Sequence, residues 1–284
     1  MHTRPPDPPG PAPTLGGTDT GDVPTAGTEE HVTTGAPCWA ALMTPDPGAA
    51  MEFYGRVLGW TSRIARGHPG RGLTALHHGM PVAGLTEPVL PSASPAWTVY
   101  FATHRLDRAV DDIRAVGGTV AVGPLTFAGG RAAWACDTAG VQFGAWESPL
   151  SSWRTDGAAG APQRMELHTH DPFAAALFYG HVFGWDSPHT DPFAVSYDDD
   201  RVVVRVAGQA VLELGDALPW RLLGVPEAGW TPHVRVDDCA RAVADAQEAG
   251  GQVLAPPRPG PHGTSAVVSH AAAGVVRLVT GSDD

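Results

Sequence analysis

"FYGRVLGW" at 53–60 and "FYGHVFGW" at 178–185 decide how this chain is read. The two octapeptides stand 125 positions apart and agree in their aromatics, both glycines and the closing tryptophan. Their lead-ins match too, "TPDPGAAME" from Thr44 and "THDPFAAAL" from Thr169. A repeat of this quality marks an internally duplicated architecture. Asp46 and Asp171 read as helix caps, with Pro47 and Pro172 at the first helical position. Apolar residues then recur at helical spacing, Ala50, Phe53, Tyr54, Val57 and Leu58 in one copy, Ala175, Phe178, Tyr179, Val182 and Phe183 in the other. Gly59 and Gly184 stop the two helices.

A strand precedes each helix, "CWAALMT" and "RMELHTH", and short β-like runs follow it, "RGLTALHHG" and "PVAGLTE", then "RVVVRVAG" and "QAVLELG". A weaker version of the same unit appears in "AWTVYFATHRLDRAVDDIRAVGGTV" and "GWTPHVRVDDCARAVADAQEAGGQV", each a strand and an amphipathic helix ending in Gly-Gly. The chain therefore predicts an α+β fold of four βαβββ modules, paired as residues 35–147 and 163–284. Residues 1–34, rich in Pro, Gly and Thr, read as a disordered tail, and 148–162 as a linker.

The net charge of -12 excludes the basic surface that a nucleic acid or an anionic membrane requires. Every basic side chain is arginine. No apolar run approaches the ~18 residues of a membrane span, and no signal peptide opens the chain. Cys38, Cys136 and Cys239 are too few and too scattered for zinc spacing or a disulfide framework, which predicts reduced thiols and a cytoplasmic protein.

The "D-P-x-A-A-x-x-FY-G-x-x-x-GW" signature, used twice, with Gly-Gly at the second helix ends, resembles the vicinal oxygen chelate superfamily of glyoxalase I, extradiol dioxygenases and bleomycin- or fosfomycin-resistance proteins. The resemblance covers roughly Pro37 to Thr280 and implies paired modules whose curved mixed sheets enclose clefts. The chain looks most like the tandem actinobacterial members, including accessory proteins of doxorubicin-type anthracycline pathways. In that superfamily four inward side chains hold a divalent metal. Carried onto this sequence, those positions fall on Trp39, Gly84, Thr98 and Gly144, then on Arg164, Glu213, Thr231 and Leu278. Only Glu213 is a credible ligand, so no metal and no other cofactor is expected.

Strand alternation gives the rest of each cleft face. In the first half it carries Trp39, Ala41 and Met43, with Thr98, Tyr100 and Ala102 opposite, and Trp97, Trp134 and Trp146 close by in sequence. This set either completes a core or forms a pocket for a flat hydrophobic ligand. In the second half Arg164, Glu166 and His168 share one strand face, Thr231, His233 and Arg235 its counterpart, and Glu213 joins from a third strand. Glycine alignment turns Leu278 inward, whereas hydrophobic sense buries Leu278 and turns Arg277 to the cleft. The polar set is either a self-satisfied ion-pair network or a place where Glu166, His168 and His233 act as acid and base on a ligand between them. Two functions follow. One is metal-independent binding of an aromatic natural product, with a biosynthetic enzyme as a further partner. The other is a metal-free isomerase, cyclase, lyase or oxygenase-like enzyme acting on such a molecule.

Overall fold

The computed structural model describes residues 33–65, 72–88, 94–127, 130–147, 159–185, 193–198, 201–260 and 263–281. Segments 1–32 and 148–158, which carry most of the expected tail and linker, lie outside the described residues. The first module runs β1 (Pro37–Met43), α1 (Pro47–Leu58), β2 (Thr61–Ile64), β3 (Gly72–His77) and β4 (Met80–Thr86). The second runs β5 (Ala96–Ala102), α2 (Leu106–Ala115), β6 (Thr119–Phe127), β7 (Gly130–Cys136) and β8 (Gln142–Glu147). The third comprises β9 (Pro162–Thr169), α3 (Pro172–Phe183), β10 (Phe193–Asp198), β11 (Arg201–Val206) and β12 (Gln209–Asp216). The fourth comprises β13 (Gly229–Arg235), α5 (Cys239–Glu248), β14 (Gln252–Gly260), β15 (Gly263–His270) and β16 (Gly274–Val279). A short helix, α4 (Leu218–Leu222), is inserted between the third and fourth modules.

The local signals act as read. Asp46 and Asp171 accept from the backbone N–H of Ala49 and Ala174 at 2.9 and 2.8 Å. Gly59 and Gly184 take the left-handed conformation, φ 70° and 74°, that ends each helix.

Strand β1 pairs antiparallel with β5, and β9 with β13, so each half is two modules joined back to back. The halves do not keep separate sheets. A Trp97–Trp230 pair between β5 and β13 fuses them into one unclosed, mixed sheet of 16 strands. The helices interlock the halves as well. Tyr54 on α1 donates its hydroxyl to the Ala273 carbonyl at 2.7 Å, and Phe53 stacks on His270 with centroids 4.7 Å apart. Tyr179 on α3 donates to Asp137 at 3.0 Å, and Phe178 meets Phe143 edge to face. Trp60 caps the Gly160 carbonyl while Trp185 caps that of Gly35. The repeated motif thus forms the seam between the halves, and its aromatics share one buried core.

Candidate functional site

The sheet leaves one concave face on each half. In the second half Arg164 stands opposite His233, Glu166 opposite Thr231, and His168 opposite Gly229. Glu213 lies beside Glu166, and Arg277 beside His233. Leu278 is fully buried in the core, so the register falls as hydrophobic sense dictates: Arg277, not Leu278, faces the cleft. The polar residues form one chain of contacts. Glu213 bridges Arg201 and Arg164, the latter at 3.2 Å, and Arg164 Nε donates to His233 Nδ1 at 3.1 Å. His233 Nε2 meets Glu166 Oε2 at 2.7 Å, and Arg277 approaches the same oxygen at 3.3 Å. Arg235 ends β13 half-buried.

Trp220, on the inserted α4, is a member of this cleft that pattern reading misses. It is 2% exposed, and its indole N–H donates to Glu166 Oε1 at 2.8 Å. Its ring stacks on His168 at 5.1 Å and lies under the Arg277 guanidinium at 4.8 Å. The space expected for a ligand between Glu166 and His168 is therefore bridged by the chain's own indole. Residues 89–93 of the equivalent connection in the first half lie outside the described residues, and the sequence there shows no tryptophan, so the repeat gives no template for it. The one available signal is a tryptophan four residues after a turn-forming aspartate, Asp216, beside Pro219.

The protonation states follow from the contacts. A guanidinium only donates, so Nδ1 of His233 must accept and its single proton sits on Nε2, facing Glu166. Burial lowers the His233 pKa; Arg164 and Arg277 lower it further against the opposing pull of Glu166, which leaves the ring neutral. Burial alone would raise the Glu166 carboxyl. The hydrogen bond from His233, with the Arg277 charge and the Trp220 hydrogen bond, outweighs that and holds it well below the usual range. Burial pushes His168 down to about 4, so it too is neutral at pH 7.

The concave face of the first half is aromatic. Trp39 stands opposite Tyr100, and Ala41 opposite Thr98. Tyr100 accepts from the Trp134 indole at 2.8 Å and meets Trp146 edge to face at 6.0 Å. Gly144 is required here and Gly84 is tightly packed. A Cβ at Gly144 would strike the Tyr100 ring at 2.2 Å, and one at Gly84 would come within 3.1 Å of the Trp39 indole nitrogen. Tyr100, Trp146 and Ala41 are buried together as a small apolar cluster, with Trp39, Trp134 and Phe127 half-buried around it. Met43 is half-buried at the strand end. Trp97 points to the other side of the sheet, into the main core. Burial raises the Tyr100 hydroxyl and the Cys38 thiol to about 12, so neither exchanges a proton near neutral pH. Thr98 and Thr231 are each 1% exposed, one in each half.

The sequence pattern of the Glyoxalase/Bleomycin resistance protein/Dioxygenase superfamily matches residues 31–144. The anthracycline biosynthesis protein DauV of Streptomyces sp. (strain C5) is 31% identical over 256 residues, covering 82% of this chain and 88% of the relative. The chain belongs to the Glyoxalase/Bleomycin resistance protein/Dioxygenase superfamily. A putative glyoxylase of Mycobacterium bovis, CFP32, is 32% identical over 231 residues, covering 78% of this chain and 85% of its own. Among solved structures, the Mn(II)-bound glyoxalase of Novosphingobium aromaticivorans superposes with a TM-score of 0.58 at 15% identity, covering 88% of this chain and 83% of that one. At that identity the likeness speaks for the superfamily fold alone.

A divalent ion of the kind held by that glyoxalase does not fit the residues present. Among the described residues no three His, Cys, Asp or Glu side chains are placed so that they could hold a metal ion together. By sheet register, Trp39, Gly84, Tyr100 and Gly144 of the first half correspond to Arg164, Glu213, His233 and Arg277 of the second. The first set offers an indole, a phenol and two glycines. The second has one carboxylate, Glu213, held against Arg164 and Arg201, and the neighbouring Glu166 is held against Arg277, so a cation would have to displace guanidinium groups.

Proposed function

We propose that this protein binds a hydrophobic aromatic natural product of the anthracycline type without a metal, and serves antibiotic biosynthesis or self-resistance. On this reading residues 35–147 and 163–284 are two domains, and the first supplies the ligand's resting place. The observation that carries it is the aromatic concave face built from Trp39, Tyr100, Trp134 and Trp146, where no group titrates near neutral pH. Such a surface stacks flat rings and has no means of moving their protons. The relation to DauV, whose name places it in anthracycline biosynthesis, supports the ligand class. A pathway enzyme that delivers or receives the ligand is the partner this role calls for. Acid–base catalysis by Glu166, His168 and His233 draws less support, because Glu166 and His233 are tied to each other and Trp220 covers His168.

Titrating an anthracycline into chelator-treated protein tests the reading. Tryptophan fluorescence should quench with micromolar affinity, about -8 kcal/mol, and Tm should rise. Trp39→Ala should weaken binding at least tenfold, whereas His168→Ala should not. Conversion of the ligand into a new product would replace the binding role with the enzymatic one. A ligand that leaves both fluorescence and Tm untouched would remove the proposal.

A further inference from the structure

The cleft of the second half retains a cavity of about 160 Å³ beside the Glu166–His233 pair. At roughly 30 Å³ per water molecule, it holds about five waters. That is room for a small molecule and far too little for a fused polycyclic ring system. Its wall is rich in donors. Three guanidinium groups, of Arg164, Arg201 and Arg277, line it together with the Gln163 amide and the hydroxyls of Thr264 and Ser265.

The acceptors nearby are already engaged. Glu166 takes Trp220, His233 and Arg277, and Glu213 bridges Arg164 and Arg201. On the Arg277 side a donor is left over: its Nε is buried and has no hydrogen-bond partner among the described residues. A buried N–H without an acceptor is costly, and the deficit concerns a group that stays charged at all working pH. A pocket walled by guanidinium and hydroxyl groups selects a ligand made of acceptors.

We propose that this cavity is a binding site for a small carboxylate, seated against Arg277 and the Thr264 and Ser265 hydroxyls. Arg164 stands where the resemblance sets a metal ligand, and both Arg164 and Arg277 pair in register with His233, so here the fixed positive charge belongs to the protein. Glu166 and Glu213 share the cleft and would repel a second negative charge, which favours a monoanion over a phosphate dianion. The site is separate from the aromatic face of the first half and does not depend on its occupant.

The test uses the full chain with acetate as probe, inorganic phosphate as the dianion, and chloride at matched ionic strength as control. Trp220 touches both Arg277 and Glu166, so its fluorescence reports occupancy. Acetate should raise Tm by a few degrees and shift the fluorescence along a saturable curve. Arg277→Gln should weaken that response at least tenfold. Arg201→Gln, at a largely exposed side chain, should weaken it severalfold in a protein whose fold is not in question. Trp39→Ala should leave it unchanged, which separates failure here from failure of the aromatic-ligand reading. A response no greater than that of chloride, a stronger response to phosphate, or an acetate response that survives both arginine substitutions would each overturn the proposal.

Discussion

His168 and Glu166 show how one cleft fixes two protonation states. His168 is 2% exposed with its pKa depressed to about 4, below the ~6.5 of a free imidazole. Between those values the unfolded chain binds a proton that the folded chain refuses. The stability from the neutral ring is therefore complete above pH 6.5 and is lost as the pH falls toward 4, on the order of 3 kcal/mol in all. His233 is depressed as well, so it acts in the same direction. Denaturant unfolding at pH 7.0 and 4.5 should reveal the loss, and His168→Phe, which keeps a ring against Trp220, should reduce it. An equal pH dependence in that variant would mean that His168 is not the titrating group. The strand face bearing these residues was legible from alternation alone, whereas for Arg277 and Leu278 the sequence left two registers open, and the burial of Leu278 decides between them. Trp220 was not, because its place depends on how a five-residue helix folds back over a sheet.

The Gly-Gly pairs that end α2 and α5 have a reason that no single module contains. Gly117 and Gly250 hold φ near 90° and 84°, the conformation of a helix end. Their neighbours answer to the opposite half instead. A Cβ on Gly118 would come within 2.9 Å of the Phe178 ring, and one on Gly251 within 2.8 Å of the Phe53 ring. The phenylalanine of each repeated motif is thus seated on the second glycine of the other half. Gly251→Ala should cost about 1–3 kcal/mol, because its Cβ also meets the Ala246 carbonyl at 2.8 Å, and backbone yields poorly. For Gly118→Ala the three nearest atoms all belong to the side chains of Ile113 and Phe178, which can yield, and the change should cost less. Urea midpoints of the two variants check the order, and equal midpoints would refute this account. The sequence made both motifs visible and gave correct helix caps and module order. It could not pair them, since periodicity reports which residues are buried and is silent on what buries them.

Taken whole, the two halves share one core. Phe101, Phe143, Phe183 and Tyr179 pack in one aromatic cluster although the first two belong to one half and the others to the second. A fragment ending at Glu147 would leave Phe53, Tyr54, Trp60 and Phe101 without their partners from the second half, His270, the Ala273 and Gly160 carbonyls and Phe183. Such a fragment should expose apolar surface and bind a hydrophobic dye, and co-expression with residues 148–284 should restore a single cooperative transition. Independent, sharp unfolding of the fragment alone would contradict the interlocked core. The capping of Gly160 by Trp60 and of Gly35 by Trp185 is reciprocal, and the two bonds are made between residues with equivalent positions in their halves. Nothing in those contacts records whether the two halves belong to the same polypeptide. An opened chain that meets a second opened chain regains every one of them by exchanging halves, so closed monomer and domain-swapped dimer share these contacts and concentration selects between them.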